Sequence, residues 1–315
     1  MRRTVVAISH PSDEHLPFVQ AHLAEPMIVI DQIAVIAGDH LAYELNGSGV
    51  TVVHKGRPIR NISGVWYRRP EQFSAETLPV PSAFRDFSSE ALREFSLLLR
   101  TRFAAARWVS DVFAIRRAED KVLQLEQAAK LGFKTLPTLV SSSAEAARSF
   151  IKTHRSVVAK PLNVPFFEQN QQVHGFYTTR VTGKTDLSGL HVAPCIFQVA
   201  IDPVADIRVT VVGNDVFAAV IHEHDPDAVK AVRDWRIGYY HGGIQIDAFD
   251  LPAKIVDLCR QHVKALGLQF GAIDLVLDKK GTFWFLENNP NGQWAFVEEE
   301  TGQPIGNTLA KLLSR

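Results

Sequence analysis

The sequence predicts an α/β protein of more than one domain. Short strands alternate with helices at its start, and antiparallel hairpins follow towards its end. Three observations predict this. The chain has 315 residues, enough for two or three compact domains. Hydrophobic residues make up 46%, so it can bury a sizeable core and is not disordered as a whole. Its apolar runs also change character: early ones are separated by amphipathic stretches, whereas late ones come in pairs joined by turn residues.

Residues 5–8 read as a buried strand, His10-Pro11-Ser12-Asp13 as a turn and 16–23 as a short helix. Strands follow at 27–31 and 51–54. No glycine-rich dinucleotide fingerprint follows the first strand, which disfavours a standard NAD domain. Gly64-Val65-Trp66-Tyr67-Arg68-Arg69-Pro70 is a strand entering a Pro-stopped loop with two adjacent arginines. Arginine forks match carboxylate or phosphate geometry, and a pair of surface arginines is the plainer alternative. Helical spacing of Ala91, Leu92, Phe95, Leu98, Leu99 and Phe103 predicts a helix over 87–103. Trp108-Val109-Ser110 leads out of the first domain.

A helix is expected over 118–131, stopped by Gly132, with Lys121 in its first turn. A lysine there opposes the helix dipole unless something anionic lies near, and a solvated lysine explains it as well. After a strand at 135–140, Ser142-Ser143-Ala144-Glu145 fits a capping box. Lys160 ends the apolar run 156–162, where it must snorkel or find an anion. The polar segment 163–174 reads as a loop that could cover a ligand, and 177–182 resumes a strand.

An apolar run at 196–201 breaks at Asp202-Pro203. Strands at 207–212 and 216–221 are joined through Gly213-Asn214-Asp215 as a hairpin. Arg208 shares a face with Asp206, so its partner is either Asp206 or a substrate anion. His222-Glu223-His224-Asp225 has metal-ligating residue types but no third ligand, which disfavours a zinc site. Asp234-Trp235-Arg236 offers another arginine beside an aromatic ring. Asp250 is expected to cap a helix reaching 266 before Gly267, and 308–313 closes the chain as a helix.

Lys+Arg and Asp+Glu balance at 34 each, so no bulk field argues for nucleic acid or membrane binding. Cys195 and Cys259 lie far apart in apolar surroundings, as buried thiols of a reducing compartment do. The apolar run after Met1-Arg2-Arg3 is too short for a signal peptide, and none approaches transmembrane length. The expectation is a soluble, cytoplasmic protein. Its oligomeric state is open, a homodimer included.

The densest chemistry lies in Gly271-Ala272-Ile273-Asp274-Leu275-Val276-Leu277-Asp278 and Phe283-Trp284-Phe285-Leu286-Glu287-Asn288-Asn289, joined through Lys279-Lys280-Gly281. With a two-residue turn at Lys280-Gly281, Asp278 faces Phe283 and Asp274 faces Glu287. Directly opposed carboxylates repel unless one is protonated or a cation lies between them. Asn289 adds a neutral oxygen two residues on. Such oxygens suit a hard cation such as magnesium, the alternative being a structural carboxylate pair at a sheet rim. In chain order, the polar groups placed on strands or helix starts are Lys121, Lys160, Arg208, Asp274, Glu287 and Asn289. Two lysines, an arginine and a three-ligand cation site suit a nucleoside triphosphate with magnesium.

This order resembles the ATP-grasp superfamily from about residue 117 onward. Trp66-Tyr67-Arg68-Arg69-Pro70, Lys160-Pro161-Leu162, the run from Asp206 to Gly213, Asp234-Trp235-Arg236 and Glu287-Asn288-Asn289-Pro290-Asn291-Gly292-Gln293-Trp294 resemble the graspetide synthetases, the microviridin-type peptide ligases, over nearly the whole chain. The resemblance implies an N-terminal α/β domain at 1–112, a central lid domain at 113–195 and a C-terminal antiparallel-sheet domain at 196–315. ATP would lie between the last two, and Lys121 and Lys160 would contact its phosphates. Gln198 and Val199 would form the adenine hinge, Arg208 would meet the γ-phosphate and acyl-phosphate, and Asp274, Glu287 and Asn289 would hold Mg2+. Arg68, Arg69, Arg236 and Asn291 would bind the acidic, Ser/Thr-containing core of a ribosomally made precursor peptide that also carries a leader. The hinge departs from the family pattern: Val199 and Pro203 stand where an acidic residue and a lysine are usual, and Asp202 is the substitute. The implied activity is ω-ester or ω-amide macrocyclisation. The alternatives are a carboxylate–amine ligase acting on a free amino acid or protein tail, and a peptide-binding relative without turnover.

Overall fold

The computed structural model describes residues 3–47, 49–70, 76, 78–162, 166–169, 172–175, 178–223 and 244–315. Three of its sheets organise the chain. The N-terminal sheet is parallel, in the order Ile28–Ile30, Thr4–Ile8, Ile62–Tyr67, Arg107–Val109. Thr4–Ile8 is apolar on both faces because both are covered: Val5 and Ala7 enter one core, Val6 and Ile8 the other. Helix Arg85–Arg102 covers the second face through Leu99. The final helix, Ile305–Ser314, covers the first, so closely that a Cβ on Gly64 would collide with the Leu313 backbone.

The C-terminal sheet runs Ile244–Ala248, Asp215–Glu223, Pro203–Val212, Phe270–Asp278, Phe283–Asn289, Lys134–Thr135. It is antiparallel except at Lys134–Thr135, which pairs in parallel. On one face Val212, Ala219, Phe270 and Ala272 share a core with Trp66 of the N-terminal sheet and with Trp294 and Leu309. On the other, Ile207, Val209, Ile273, Leu275 and Phe285 pack with residues of Val112–Ala118, Lys121–Leu131 and Ala253–Ala265. The central sheet is separate and antiparallel, in the order Thr179–Val181, Val157–Pro161, Cys195–Val199, Thr138–Ser141. Its core, with Ala147, Ile151, Val157, Val181 and Phe197, is its own.

The chain passes between the central and C-terminal sheets at 136–137 and again at 200–202. These crossings run side by side, Val199 N donating to Pro137 O at 3.0 Å. Cys195–Val199 belongs to the central sheet, and both helices before Lys134 pack on the C-terminal one.

Several local expectations change. The helix expected over 118–131 starts at Lys121, where Asp120 accepts from the Val122 and Leu123 amides, and a separate helix, Val112–Ala118, capped by Asp111, precedes it. Gly132 does stop the helix from Lys121, in the left-handed region. Asp250 is not a cap, since Ala253–Ala265 begins directly after Pro252. Phe166–Gln169 and Gln172–Gly175 pair as an antiparallel hairpin inside the expected loop, where Phe166, Phe167 and Val173 supply strand formers within a polar composition. The sheet Leu41–Asn46, Gly49–His54, Arg57–Pro58 goes beyond the one strand expected there. Residues 224–225 and 234–236 lie outside the described residues. Among those described, no helix is long and apolar enough to cross a membrane.

Candidate functional site

The hairpin reaches the expected pairing by a different route. Asp274 does face Glu287, but Leu277, not Asp278, faces Phe283. Asp278 closes the loop: its Oδ1 accepts from the Lys280 and Thr282 amides, its Oδ2 from Trp284 Nε1, and Gly281 turns at φ +77°. That three-residue loop shifts the register by one. A bulge between Asp274 and Leu275, with Leu286 as the extra residue, shifts it back.

The opposed carboxylates each carry a cation. Arg208 lies opposite Asp274 on the neighbouring strand, its guanidinium 3.2 Å from Asp274 Oδ1. Lys121, at the first position of its helix, donates to Glu287 Oε2 at 2.8 Å. The anion that the exposed helix start called for is Glu287. Arg208 is 6% exposed, and such a charge is held only against an opposite one. Asn289 extends the same face opposite Ala272, its side-chain oxygen accepting from Asn291 N at 3.0 Å. Thus Arg208, Asp274, Glu287 and Lys121 form one row across three strands and a helix start, with Asn289 at its edge. Among the described residues no three His, Cys, Asp or Glu side chains group together as metal ligands. The donor set here is two carboxylates and an amide oxygen, all hard, which fits magnesium.

Lys160 and Gln198 meet on the central sheet. Lys160 Nζ donates to Gln198 Oε1 at 3.0 Å, and Gln198 Nε2 donates to Thr138 Oγ1 at 2.9 Å. Val199 ends that strand at the second crossing. Asp202 lies in the crossing itself, largely exposed, 3.5 Å from the Arg180 guanidinium. The structure therefore places the nominated groups in two sets on two sheets joined by paired crossings.

Arg68 and Arg69 diverge. Arg69 is exposed, and both arginines line a cavity of about 570 Å³ with His10, Glu14 and Gln293. Arg68 is 1% exposed, its Nε 3.4 Å from Asp13 Oδ2 and one amino group 3.1 and 3.2 Å from the two His15 ring nitrogens. Its other amino group donates to Asn291 O. Burial pulls its pKa down to about 10. Burial also pushes the Asp13 carboxyl up, but the His15 hydrogen bond and the Arg68 charge outweigh it and hold Asp13 at about 2. Arg236 lies outside the described residues.

Sequence reasoning missed Gln124, Asp13 and His15. Gln124 is fully buried; its Oε1 accepts from Asn288 N at 2.9 Å and its Nε2 donates to Asn288 O at 2.7 Å, fixing the strand between Glu287 and Asn289. Its signal was a polar residue one turn before Ala128 on the helix's apolar stripe. Asp13 carried no signal, because it read as part of an ordinary turn, and His15 fell between that turn and the helix expected from 16.

These features define a class: the fold is that of the ATP-grasp ligases, shared with peptide ligases that bind ADP. Within it, the likeness is to RiPP-associated ligases. A Chryseobacterium gregarium RiPP-associated ATP-grasp ligase, in complex with ADP and a leader and core peptide, superposes with TM-score 0.87 at 25% identity, covering 99% of this chain and 96% of that one. The macrocyclase MdnC of Microcystis aeruginosa, bound with precursor peptide MdnA, superposes with TM-score 0.82 at 26% identity over 98% of each chain. Macrocyclase MdnB of the same organism gives TM-score 0.78 at 22% identity over 99% of each. No protein-family model matches the sequence, and no curated protein does.

Proposed function

We propose that the chain is an ATP-dependent peptide macrocyclase acting on a ribosomally made precursor peptide. The observation that carries this is the row Arg208, Asp274, Glu287 and Lys121, on a fold like that of the Chryseobacterium and Microcystis ligases along nearly its full length. Asp274, Glu287 and Asn289 would hold magnesium, which when bound neutralises phosphate charge. Lys121 and Lys160 would contact the phosphates of ATP. Gln198 and Val199 line the adenine, and Asp202 takes the ribose.

A side-chain carboxylate oxygen of a peptide Asp or Glu attacks the γ-phosphorus, and the bond to ADP breaks. Arg208 would hold the transferred phosphoryl oxygens and then the acyl-phosphate. A Ser/Thr hydroxyl or Lys amine of the same peptide attacks the acyl carbon and loses its proton, and phosphate leaves. Each linkage removes one water from the peptide. Arg69, Arg236 and Asn291 serve the acidic core, and Arg68 reaches it only through Asn291 and the cavity wall.

The test uses a short peptide encoded beside the gene and rich in Ser/Thr and Asp/Glu. Incubated with enzyme, ATP and magnesium, it should lose one water per linkage by mass spectrometry, with matching ADP. An unmodified peptide, with a free amino acid stimulating ADP release instead, would overturn the macrocyclase reading. No ADP with any acceptor would leave a binding protein.

A further inference from the structure

The loop that follows Asn289 is held from outside its own domain. Arg68 donates to Asn291 O, across 223 positions of sequence. Trp294 N donates to His15 Nε2 at 3.0 Å, across 279 positions. Because Nε2 accepts from Trp294 N, the ring's one proton is on Nδ1, 2.7 Å from Asp13 Oδ1, and His15 is neutral with its Nε2 lone pair facing the loop. Burial, which pulls the His15 pKa down, favours that state. Trp294 is fully buried and stacks edge-on against His15 at 5.0 Å. A Cβ on Gly292 would collide with that of Ala272, so the loop's path has little freedom.

Stability alone is a poor reason to bury these groups. A buried ion pair is often no better than an apolar substitute, and its attested use is to fix one arrangement. What is fixed here is the amide that Asn289 reads: Asn289 Oδ1 accepts from Asn291 N, and Gly292 N donates to Asn289 O at 3.2 Å. The loop's position thus sets where the Asn289 oxygen points.

We propose that Asp13, His15 and Arg68 form a clamp from the N-terminal domain that positions Asn289 as a metal ligand. All three are positioning residues. The inference rests on Asn289 serving the magnesium site with Asp274 and Glu287. Removing a group that orients a ligand costs on the order of tenfold or more in metal affinity.

The test titrates Mn2+ into the enzyme–ADP complex and reads free Mn2+ by electron paramagnetic resonance, with circular dichroism to confirm folding. His15→Ala and Arg68→Lys should each weaken Mn2+ binding about tenfold. Arg68→Lys keeps the charge but not the fork, and serves if His15→Ala fails to fold. In an Asn289→Ala background the same substitutions should add almost nothing. Equal losses with and without Asn289, or unchanged Mn2+ affinity in a folded variant, would overturn the clamp. Failure of the underlying metal reading shows separately: wild type and Glu287→Gln would then bind Mn2+ alike.

Discussion

The C-terminal and central sheets carry the two sets of site residues, and they are held in different ways. The C-terminal sheet is covered on both faces, and one of those cores is shared with the N-terminal sheet through Trp66, Trp294 and Leu309. The central sheet has a core of its own and is tied to its neighbour by two adjacent crossings. The acidic row and its cations therefore stand on the part that cannot shift without opening a shared core. Lys160 and Gln198 stand on a sheet whose core is separate. On the function proposed above, the charged end of the site would stay fixed while the other end closes on the nucleotide.

The largest effect tests the chemistry of the fixed part. Glu287→Gln and Asp274→Asn should each lower turnover on the order of a thousandfold, since the charge stabilisation at stake is several kcal/mol. Both variants should melt as folded proteins, and wild-type rates in steady-state ADP release would remove the metal assignment.

The cores come next. Leu309 is fully buried where two domains meet, so Leu309→Ala should cost about 2–5 kcal/mol and shift the main thermal transition. Phe197→Ala, a similar loss in the central core, should loosen that sheet first. Hydrogen exchange would then rise in 138–199 while 270–289 stays protected. Uniform exchange in both variants would mean that the three sheets unfold as one.

Acid sharpens the same contrast. His262 packs between Phe133 and Phe285 on the C-terminal sheet, and burial pushes its pKa from 6.5 down to about 4. Between those values the unfolded chain binds a proton that the folded chain does not. Stability is therefore complete above pH 6.5 and falls as pH drops towards 4, by about 3 kcal/mol at most. His15, also depressed by burial, acts in the same direction. A melting series on His262→Leu should show a shallower acid slope than wild type. The smallest effect is Gln124→Ala, which strands the Asn288 amide and carbonyl and should cost roughly 2 kcal/mol by denaturant melts.

How much of this was legible in sequence follows from how local each feature is. Asp274 opposite Glu287 could be read because the turn residues and the two-residue period are local, although a shifted loop and a compensating bulge had to cancel. Lys121 was legible as an ill-placed charge, but its partner lies 166 positions away and only the fold supplies it. The hairpin at 166–175 was hidden by polar composition, and the start of the helix expected from 118 was misplaced because its cap, Asp120, resembles any surface acid. The role of Arg68 was the hardest. Its sequence reads as a surface anion binder, whereas its neighbours Asp13 and His15 come from one distant stretch and Asn291 from another. A buried network of that kind leaves no periodicity to read.

One measurement bears most directly on a nucleotide held between a fixed acidic sheet and a separately cored central one. Hydrogen exchange is followed with and without ADP and magnesium, in wild type and in Glu287→Gln. Protection should appear in wild type at both 195–202 and 270–289, and Glu287→Gln should lose it at 270–289. Protection confined to one of the two segments in wild type, or unchanged by Glu287→Gln, would contradict the account.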